Sequence, residues 1–186
     1  MTATQQLVLK VLHEVGRPVY TTQLVKLVYF VDYIHYRHRK KTFTGLAYQW
    51  DQFGPNALSN QIVREADALA RKGQVLLEPR ESVTGNVGCL YRPAKDAPVP
   101  GLDAMTEIII KDVVAKHGRK APTVIANASK RTLPFQTAKP GDLLQLEQPN
   151  PFQPYAAIQE PTNEAELAQA GPGKSLGEIK AKYGIV

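Results

Sequence analysis

Two stretches near the start of the chain carry apolar residues at intervals of three and four, the period of an amphipathic helix. The first stretch, 5–15, ends at Gly16 with a proline shortly after it, which is typical of a helix end. The second begins at Thr21 or Thr22, either of which is a good helix cap. Apolar side chains lie on nearly every face of this second stretch, so we expect a central helix that is contacted on several sides. Its apolar lining is Leu24, Leu27, Val28, Val31 and Ile34, and Val25, Tyr29, Phe30 and Tyr33 lie off that lining.

The period of the pattern changes after Gly45, which provides a turn. Residues 46–53 are predicted to form a short strand, and 57–72 a helix that Gly73 ends. Two further short strands, 74–78 and 90–92, flank the loop 82–88 and predict a β-hairpin. The residues of helix 57–72 that we expect to face inward are Leu58, Ile62, Ala66, Leu69 and Ala70.

The rest of the chain predicts two more helices and then an irregular extension. Asp103 can cap a helix that runs to His117, and Pro122 is well placed to open a shorter helix that ends near residue 130. Six prolines between 134 and 161 exclude a long regular element there. Beyond them, 163–166 and 175–178 have the pattern of a capping box and predict two short helices.

These elements predict a mainly α (α+β) fold, a helical domain with a small antiparallel sheet or β-hairpin. In the N-terminal half, the order helix, helix, strand, helix and hairpin is similar to a winged helix. We expect one domain over 1–138 and a proline-rich, mildly acidic extension over 139–186.

Composition sets the class of protein. With 186 residues, 43% of them hydrophobic, the chain can bury one good core. The single cysteine, Cys89, excludes an internal disulfide, and no secretory pattern follows Met1. The longest strongly apolar run, 27–31, is too short to cross a bilayer. We therefore expect a cytoplasmic protein with no membrane association.

The formal net charge of +6 is unevenly distributed along the chain. Residues 1–93 hold 12 Lys/Arg against 7 Asp/Glu, whereas 94–186 hold 11 against 10. From residue 140 onward acids outnumber bases, 6 to 3. A basic body of this kind favours association with polyanions or with acidic partners.

Two motifs in this order resemble a known family. Lys26-Leu27-Val28-Tyr29-Phe30-Val31-Asp32 is followed by Gly45 and by Tyr48-Gln49-Trp50-Asp51-Gln52-Phe53-Gly54-Pro55. This pattern resembles the signature of the Panacea domain, the SocA-type antitoxin family, over roughly residues 5 to 138 and most strongly over 24–73. Phe53 stands where members commonly have tyrosine.

The resemblance implies a mainly helical domain with a small antiparallel sheet and no catalytic apparatus. It also implies that the protein binds and neutralises a toxin protein that is usually encoded by the adjacent gene. A related family member delivers its toxin to a protease, so a protease is a further candidate partner.

The densest cationic run lies at the predicted end of the central helix, and it supplies the candidates for contact with a partner. Cations there also complement the helix dipole, which explains one or two of them and leaves the rest available. We expect Tyr29 and Phe30 to be core residues and Tyr36 to lie at the surface, whereas Trp50 is either core or contact. The partner-binding candidates are Tyr36, Arg37, His38, Arg39, Lys40, Lys41 and Trp50.

The sequence offers little support for chemistry. His35 and His38 are spaced to reach one metal ion, but no third ligand lies near them apart from Asp32. No serine has the context of a nucleophile elbow, and no phosphate-binding loop is present. We therefore predict no enzyme activity, no metal and no cofactor.

Three functions compete. The first is a type II antitoxin that binds a toxin protein, with an extension that folds on its partner. The second is a winged-helix DNA-binding regulator, which is compatible with the first because such a protein can repress its own operon. The third is a phage or mobile-element protein that blocks a host factor. The sequence leaves a homo-oligomer open.

In the DNA-binding alternative, helix 57–72 is the reading helix. Glu65 and Asp67 lie among its polar residues and the hairpin tip 84–86 has no charge, and both features count against phosphate contact. The candidate DNA contacts are Asn60, Gln61, Arg64, Arg71 and Lys72.

Overall fold

The computed structural model describes residues 1–81 and 87–147. Within them lie six α-helices, five strands and one short 3₁₀ helix, Leu58–Asn60. The helices are α1 Ala3–Val15, α2 Thr21–Arg39, α3 Gln61–Arg71, α4 Ala104–His117, α5 Pro122–Ser129 and α6 Leu133–Thr137. The strands are β1 Val19–Tyr20, β2 Tyr48–Gln49, β3 Asn56–Ala57, β4 Val75–Glu81 and β5 Val87–Pro93. The predicted α+β class is confirmed, whereas the predicted helices at 163–166 and 175–178 lie outside the described residues.

The larger sheet joins the start of the chain to the hairpin. Its three strands are antiparallel in the order β1-β5-β4. On the central strand β5, Tyr91 lies opposite Val19 of β1 on one side and opposite Leu77 of β4 on the other. A short strand between the first two helices thus pairs with the second strand of a hairpin that follows the third helix. The strand order is similar to that of a winged helix, but the strand that joins the hairpin is β1 and not the predicted strand 46–53, whose residues 48–49 belong to a separate two-stranded sheet. The hairpin strands are longer than predicted, and the tip 84–86 lies outside the described residues.

The predicted bounds of the strand 46–53 are wrong, because only Tyr48–Gln49 forms a strand there. Only Tyr48–Gln49 pairs, with Asn56–Ala57, because a turn over 51–54 reverses the chain. In that turn the N–H of Gly54 donates to the carbonyl oxygen of Asp51 at 2.8 Å. Phe53 is consequently 64% exposed.

The predicted helix 57–72 begins later, at Gln61. Ser59 and Asn60 have φ angles of +57° and +54°, which interrupt a regular helix before that residue. Leu58 was predicted to face inward and is instead 46% exposed, because it precedes the helix. Ile62, Ala66 and Leu69 are buried as predicted.

Helix α2 is the centre of the core. It packs against α1, α3, α4 and α5, and Tyr29 and Phe30 are buried as predicted. The predicted cap at Thr21 or Thr22 is wrong, since the helix begins at Thr21 and Tyr20 precedes it. The side chain of Gln23 replaces that cap: its Oε1 accepts from the N–H of Tyr20 at 2.9 Å, and its Nε2 donates to the carbonyl oxygen of Lys120 at 2.6 Å.

Helices α4 and α5 confirm the capping predictions. Asp103 precedes α4, and its side chain accepts from the N–H of Thr106 at 3.3 Å. Pro122 is the first residue of α5. Among the described residues, no helix is long and apolar enough to span a membrane.

The described residues after 138 also contact the helical body. The carbonyl oxygen of Asp142 accepts from the N–H of Trp50 at 2.8 Å, and the N–H of Leu144 donates to the carbonyl oxygen of Tyr48 at 2.7 Å. Leu144 is buried. Residues 142–144 therefore lie alongside β2, on the edge that β3 does not occupy.

Candidate functional site

A buried carboxylate fixes the loop that follows α2. Asp32 has no exposed surface, and its two oxygens accept hydrogen bonds from four neutral donors. The N–H groups of Phe43 and Thr44 donate to Oδ1 at 2.9 and 3.0 Å. The Tyr48 hydroxyl donates to Oδ2 at 2.6 Å, and the Thr44 hydroxyl donates to the same oxygen. Burial raises the pKa of Asp32, while the hydrogen bonds from Thr44, Tyr48 and Phe43 oppose that rise.

The end of α2 is held by two further backbone contacts. Lys40 adopts a left-handed conformation with a φ of +57°, and its N–H donates to the carbonyl oxygen of Tyr36 at 2.8 Å. His35 Nδ1 lies 2.8 Å from the carbonyl oxygen of Lys41. Because a carbonyl can only accept, Nδ1 carries the proton and donates. We call residues 36–41 the α2 turn, and these contacts give it one fixed backbone shape.

The predicted partner-binding residues of the α2 turn lie together at the surface. Arg37, His38, Arg39, Lys40 and Lys41 are all exposed, and Tyr36 is partly buried. In the described part of the chain, Lys40 and Lys41 make no ion pair.

Three residues of the α2 turn interact with other side chains. The Tyr36 hydroxyl donates to Glu147 Oε1 at 2.6 Å, and this hydrogen bond raises the pKa of the phenol. Arg39 Nη2 lies 3.8 Å from Asp103 Oδ1, with both side chains about half exposed. The Arg37 guanidinium lies 6.0 Å from the centroid of the Tyr33 ring. Such exposed contacts stabilise little.

Trp50, the remaining partner-binding candidate, is partly buried. Its ring stacks on Phe135, with centroids 5.1 Å apart and planes 14° apart. The segment 142–147 connects it with the α2 turn, because Asp142 bonds the Trp50 backbone and Glu147 bonds Tyr36. No sequence pattern predicts the role of Glu147, since nothing in a proline-rich stretch indicates which acid contacts the helical body.

A buried lysine holds the second motif. Lys26 is 3% exposed, and its Nζ donates to the carbonyl oxygen of Pro55 at 2.6 Å. Gly54 has a φ of +96°, and a Cβ at that residue would lie 2.6 Å from Ser129 Oγ. No side chain fits there. Burial lowers the pKa of Lys26 to about 8, although the carboxylate of Asp51 opposes the shift.

The two motifs therefore form one scaffold. Lys26 joins α2 to Pro55, and Asp32 joins α2 to Tyr48. These contacts give Gly54 and Pro55 a structural role. Sequence reasoning missed the roles of Lys26 and Asp32, although charged residues among the apolar positions of a central helix were a usable signal.

The candidate DNA-contacting residues form a separate surface on α3. Asn60, Arg64, Arg71 and Lys72 are exposed, while Gln61 is partly buried and its Nε2 donates to Glu65 Oε1 at 3.0 Å. Glu65 also accepts from Gln5 Nε2 at 2.7 Å. Asp67 accepts from the Tyr91 hydroxyl at 3.1 Å. Both acids of this region are thus partly buried and hydrogen-bonded, and its exposed charged residues are all cations.

The described residues contain no group of three His, Cys, Asp or Glu side chains that could hold a metal ion. His35 uses Nδ1 for the Lys41 carbonyl oxygen, which leaves that nitrogen without a lone pair for a metal. His38 lies on the exposed side of the α2 turn.

We expect Asp32→Asn to lower the free energy of unfolding by about 2–4 kcal/mol. The new amide N–H₂ cannot accept, so it leaves donors of the loop unpaired in a buried site. Urea unfolding followed by Trp50 fluorescence measures the loss, since Trp50 is the single tryptophan. The control Asp112→Asn, at an exposed residue, should change the value by less than about 0.5 kcal/mol. Equal effects of the two substitutions would contradict the role of Asp32.

We expect the stability that Lys26 contributes to rise with pH between about 7 and 9.5. The folded state releases the Lys26 proton above a pKa of about 8, whereas the unfolded lysine, at 10.5, still holds it. Unfolding therefore takes up a proton, and higher pH favours the folded state.

The measurement compares wild type with Lys26→Met, so that titrations of other groups cancel. The free energy of unfolding of wild type relative to the variant should rise by about 2 kcal/mol over this range. A difference that stays constant or falls would show that Lys26 is not desolvated.

The relationship of the chain to known proteins was tested in three ways. Comparison with protein-family models, with curated proteins and with solved structures finds no match. The likeness to the Panacea domain therefore stays a prediction, resting on the motifs at 26–32 and 48–55.

Proposed function

We propose that this protein is an antitoxin-like protein that binds and neutralises a partner toxin by direct contact. The partner is expected to be the product of the adjacent gene. Support comes from the resemblance of residues 24–56 to the Panacea domain and from the exposed cations of the α2 turn. In this proposal no bond is made or broken, and neutralisation follows from occupying a surface of the toxin.

One observation carries the proposal: the residues of the resemblance touch one another. Lys26 Nζ donates to the carbonyl oxygen of Pro55, 29 positions away in sequence, at 2.6 Å. The Tyr48 hydroxyl likewise donates to Asp32 Oδ2 at 2.6 Å. A chance likeness would not require its residues to meet. Together these contacts hold the segment 43–55 against α2, so the residues of the pattern belong to one packed substructure.

The fixed backbone of the α2 turn suits it to binding. A surface that is ordered before association loses less entropy when the partner arrives. Exposed Lys and Arg side chains steer an acidic partner toward that surface, and arginine and tyrosine are enriched among residues that dominate binding energy. We assign Arg37, Lys40 and Lys41 to the centre of the contact, with Tyr36 beside them.

We expect Lys40→Glu/Lys41→Glu to abolish the complex with the toxin, because each new carboxylate repels an acidic partner surface. The chain and the adjacent-gene product are co-expressed, and growth rescue and co-purification are measured. The matched control is Lys95→Glu/Lys111→Glu, which reverses two exposed charges elsewhere and should retain rescue. Loss of rescue in the control, or full rescue by the first variant, would contradict the assigned surface. No rescue by wild type would contradict the antitoxin function.

A second candidate function, a winged-helix DNA-binding regulator, is favoured by the surface of α3. Helix α3 packs against β4 of the hairpin, and it is the helix that this candidate function assigns to the reading of DNA. The two acids that counted against this function, Glu65 and Asp67, are hydrogen-bonded within the protein. Arg64, Arg71 and Lys72 are left as the exposed charges of the region.

If α3 reads DNA, affinity for the duplex upstream of the coding region should fall steeply with salt. Each lost phosphate contact should reduce the slope of log K against log salt by about 0.9. For the variant Arg64→Ala/Arg71→Ala/Lys72→Ala, the slope should therefore fall by up to about three times this amount. For the control Lys95→Ala/Lys111→Ala, the slope should not change. Fluorescence anisotropy between about 50 and 200 mM salt measures both. Weak binding with a flat salt response would exclude this function.

A further inference from the structure

A groove separates α3 from the inner face of the β4–β5 hairpin. Its volume is about 540 Å³, within the range of sites that hold small molecules. The apolar part of its wall is Val63 and Ala70 from α3 and Leu77 and Cys89 from the hairpin. Leu77 is 37% exposed, a large apolar side chain that the rest of the described chain leaves partly uncovered.

The groove exists because the hairpin is longer than the helix layer that covers it. Side chains alternate along a strand, so Leu77 and Cys89 lie on the same face of the sheet as the buried Val75 and Tyr91. Val75 and Tyr91 are covered by the core, whereas Leu77 and Cys89 lie nearer the tip, where α3 provides only one side of a channel. An apolar surface is thus continued outward from the core.

Apart from Arg71, the polar side chains of the groove are already hydrogen-bonded. The Tyr91 hydroxyl donates to Asp67 Oδ1 at 3.1 Å, and burial together with that carboxylate raises the pKa of Tyr91. The Thr21 hydroxyl donates to the carbonyl oxygen of Cys89 at 3.3 Å. An apolar side chain that enters therefore displaces water without breaking these hydrogen bonds, which favours its burial.

The lining of the groove contains one cation, Arg71, and one acid, Asp67. Arg71 is exposed, as are Arg64 on α3 and Lys72 immediately after it. Asp67 is partly buried and accepts from the Tyr91 hydroxyl, so the exposed charges beside the groove on this side are cations. A ligand that combines apolar side chains with carboxylates would match both the wall and these cations.

We propose that this groove binds an acidic segment of a partner protein, with apolar side chains of the segment inserted between Val63, Ala70 and Leu77. The inference rests on the proposed function, since it assumes an acidic protein partner. It adds a second contact surface, because Thr21 and Arg39 lie at opposite ends of α2, about 27 Å apart. DNA is the weaker occupant, since a sugar-phosphate backbone gains nothing from an apolar wall.

Cys89 provides a direct test, because it is the single cysteine of the chain and lines the groove. The alkylation rate of Cys89 is measured on the full chain, with and without a synthetic peptide that alternates glutamate with leucine. We expect the peptide to slow alkylation by at least about fivefold in a saturable manner, since an occupied groove excludes the reagent. Two matched peptides, with serine for leucine or lysine for glutamate, should give little protection.

Variants locate the binding. Arg71→Glu should weaken peptide affinity by at least about tenfold, because the new carboxylate repels the carboxylates of the peptide. Ala70→Phe should fill the groove and weaken peptide affinity to a similar extent. Leu77→Ser should also weaken peptide affinity, because it removes part of the apolar wall, and its partly exposed position makes the substitution easier for the fold to accept. The control Lys95→Glu, at an exposed residue away from the groove, should stay within about twofold of wild type.

The proposal is overturned if the peptide fails to protect Cys89, if the serine peptide protects equally, or if duplex DNA protects and the peptide does not. The assay contains no toxin, so its failure is separate from failure of the antitoxin function. Toxin rescue that survives in Arg71→Glu but not in Lys40→Glu/Lys41→Glu would leave the α2 turn as the contact and remove the groove.

Discussion

The buried carboxylate of Asp32 is the contact on which the loops around α2 depend. A charged group without exposure is costly unless it is fully hydrogen-bonded. Here four donors from residues 43, 44 and 48 satisfy it, and all of them lie beyond the end of α2. The requirement to pair this one carboxylate therefore determines the course of the chain from the α2 turn to β2. The cationic residues that precede Phe43 are positioned as a consequence.

Lys26 imposes a corresponding constraint two turns earlier on the same helix. Its ammonium group reaches the carbonyl oxygen of Pro55, and the absence of a side chain at Gly54 lets the turn approach α5. The central helix is thus apolar where it packs and charged at two points where it holds loops. These two points explain why a core helix also organises the surface of the protein.

The resulting surface presents cations in two places that differ in their surroundings. The α2 turn offers exposed Arg and Lys side chains on a fixed backbone, which suits a charged protein surface. The region around α3 combines cations with an apolar groove, and its acids are turned to internal hydrogen bonds. The proposed functions differ in which of these surfaces meets the partner, and both depend on the same winged-helix arrangement of α1 to β5.

The sequence by itself determined the helices α1, α2, α4 and α5, the hairpin and the core position of Tyr29, because periodicity and capping residues act over a few neighbouring positions. It also placed the cations of the α2 turn at the surface. It did not determine that the strand stops at Gln49, which follows from the reversal of the chain at Gly54. Nor did it determine that Leu58 is exposed, which follows from the left-handed residues Ser59 and Asn60 that delay the start of α3. The pairing of Lys26 with Pro55, of Asp32 with Tyr48 and of Tyr36 with Glu147 was decided by tertiary structure alone. Those contacts join residues 16 to 111 positions apart, and no local pattern encodes which distant group will satisfy a buried charge.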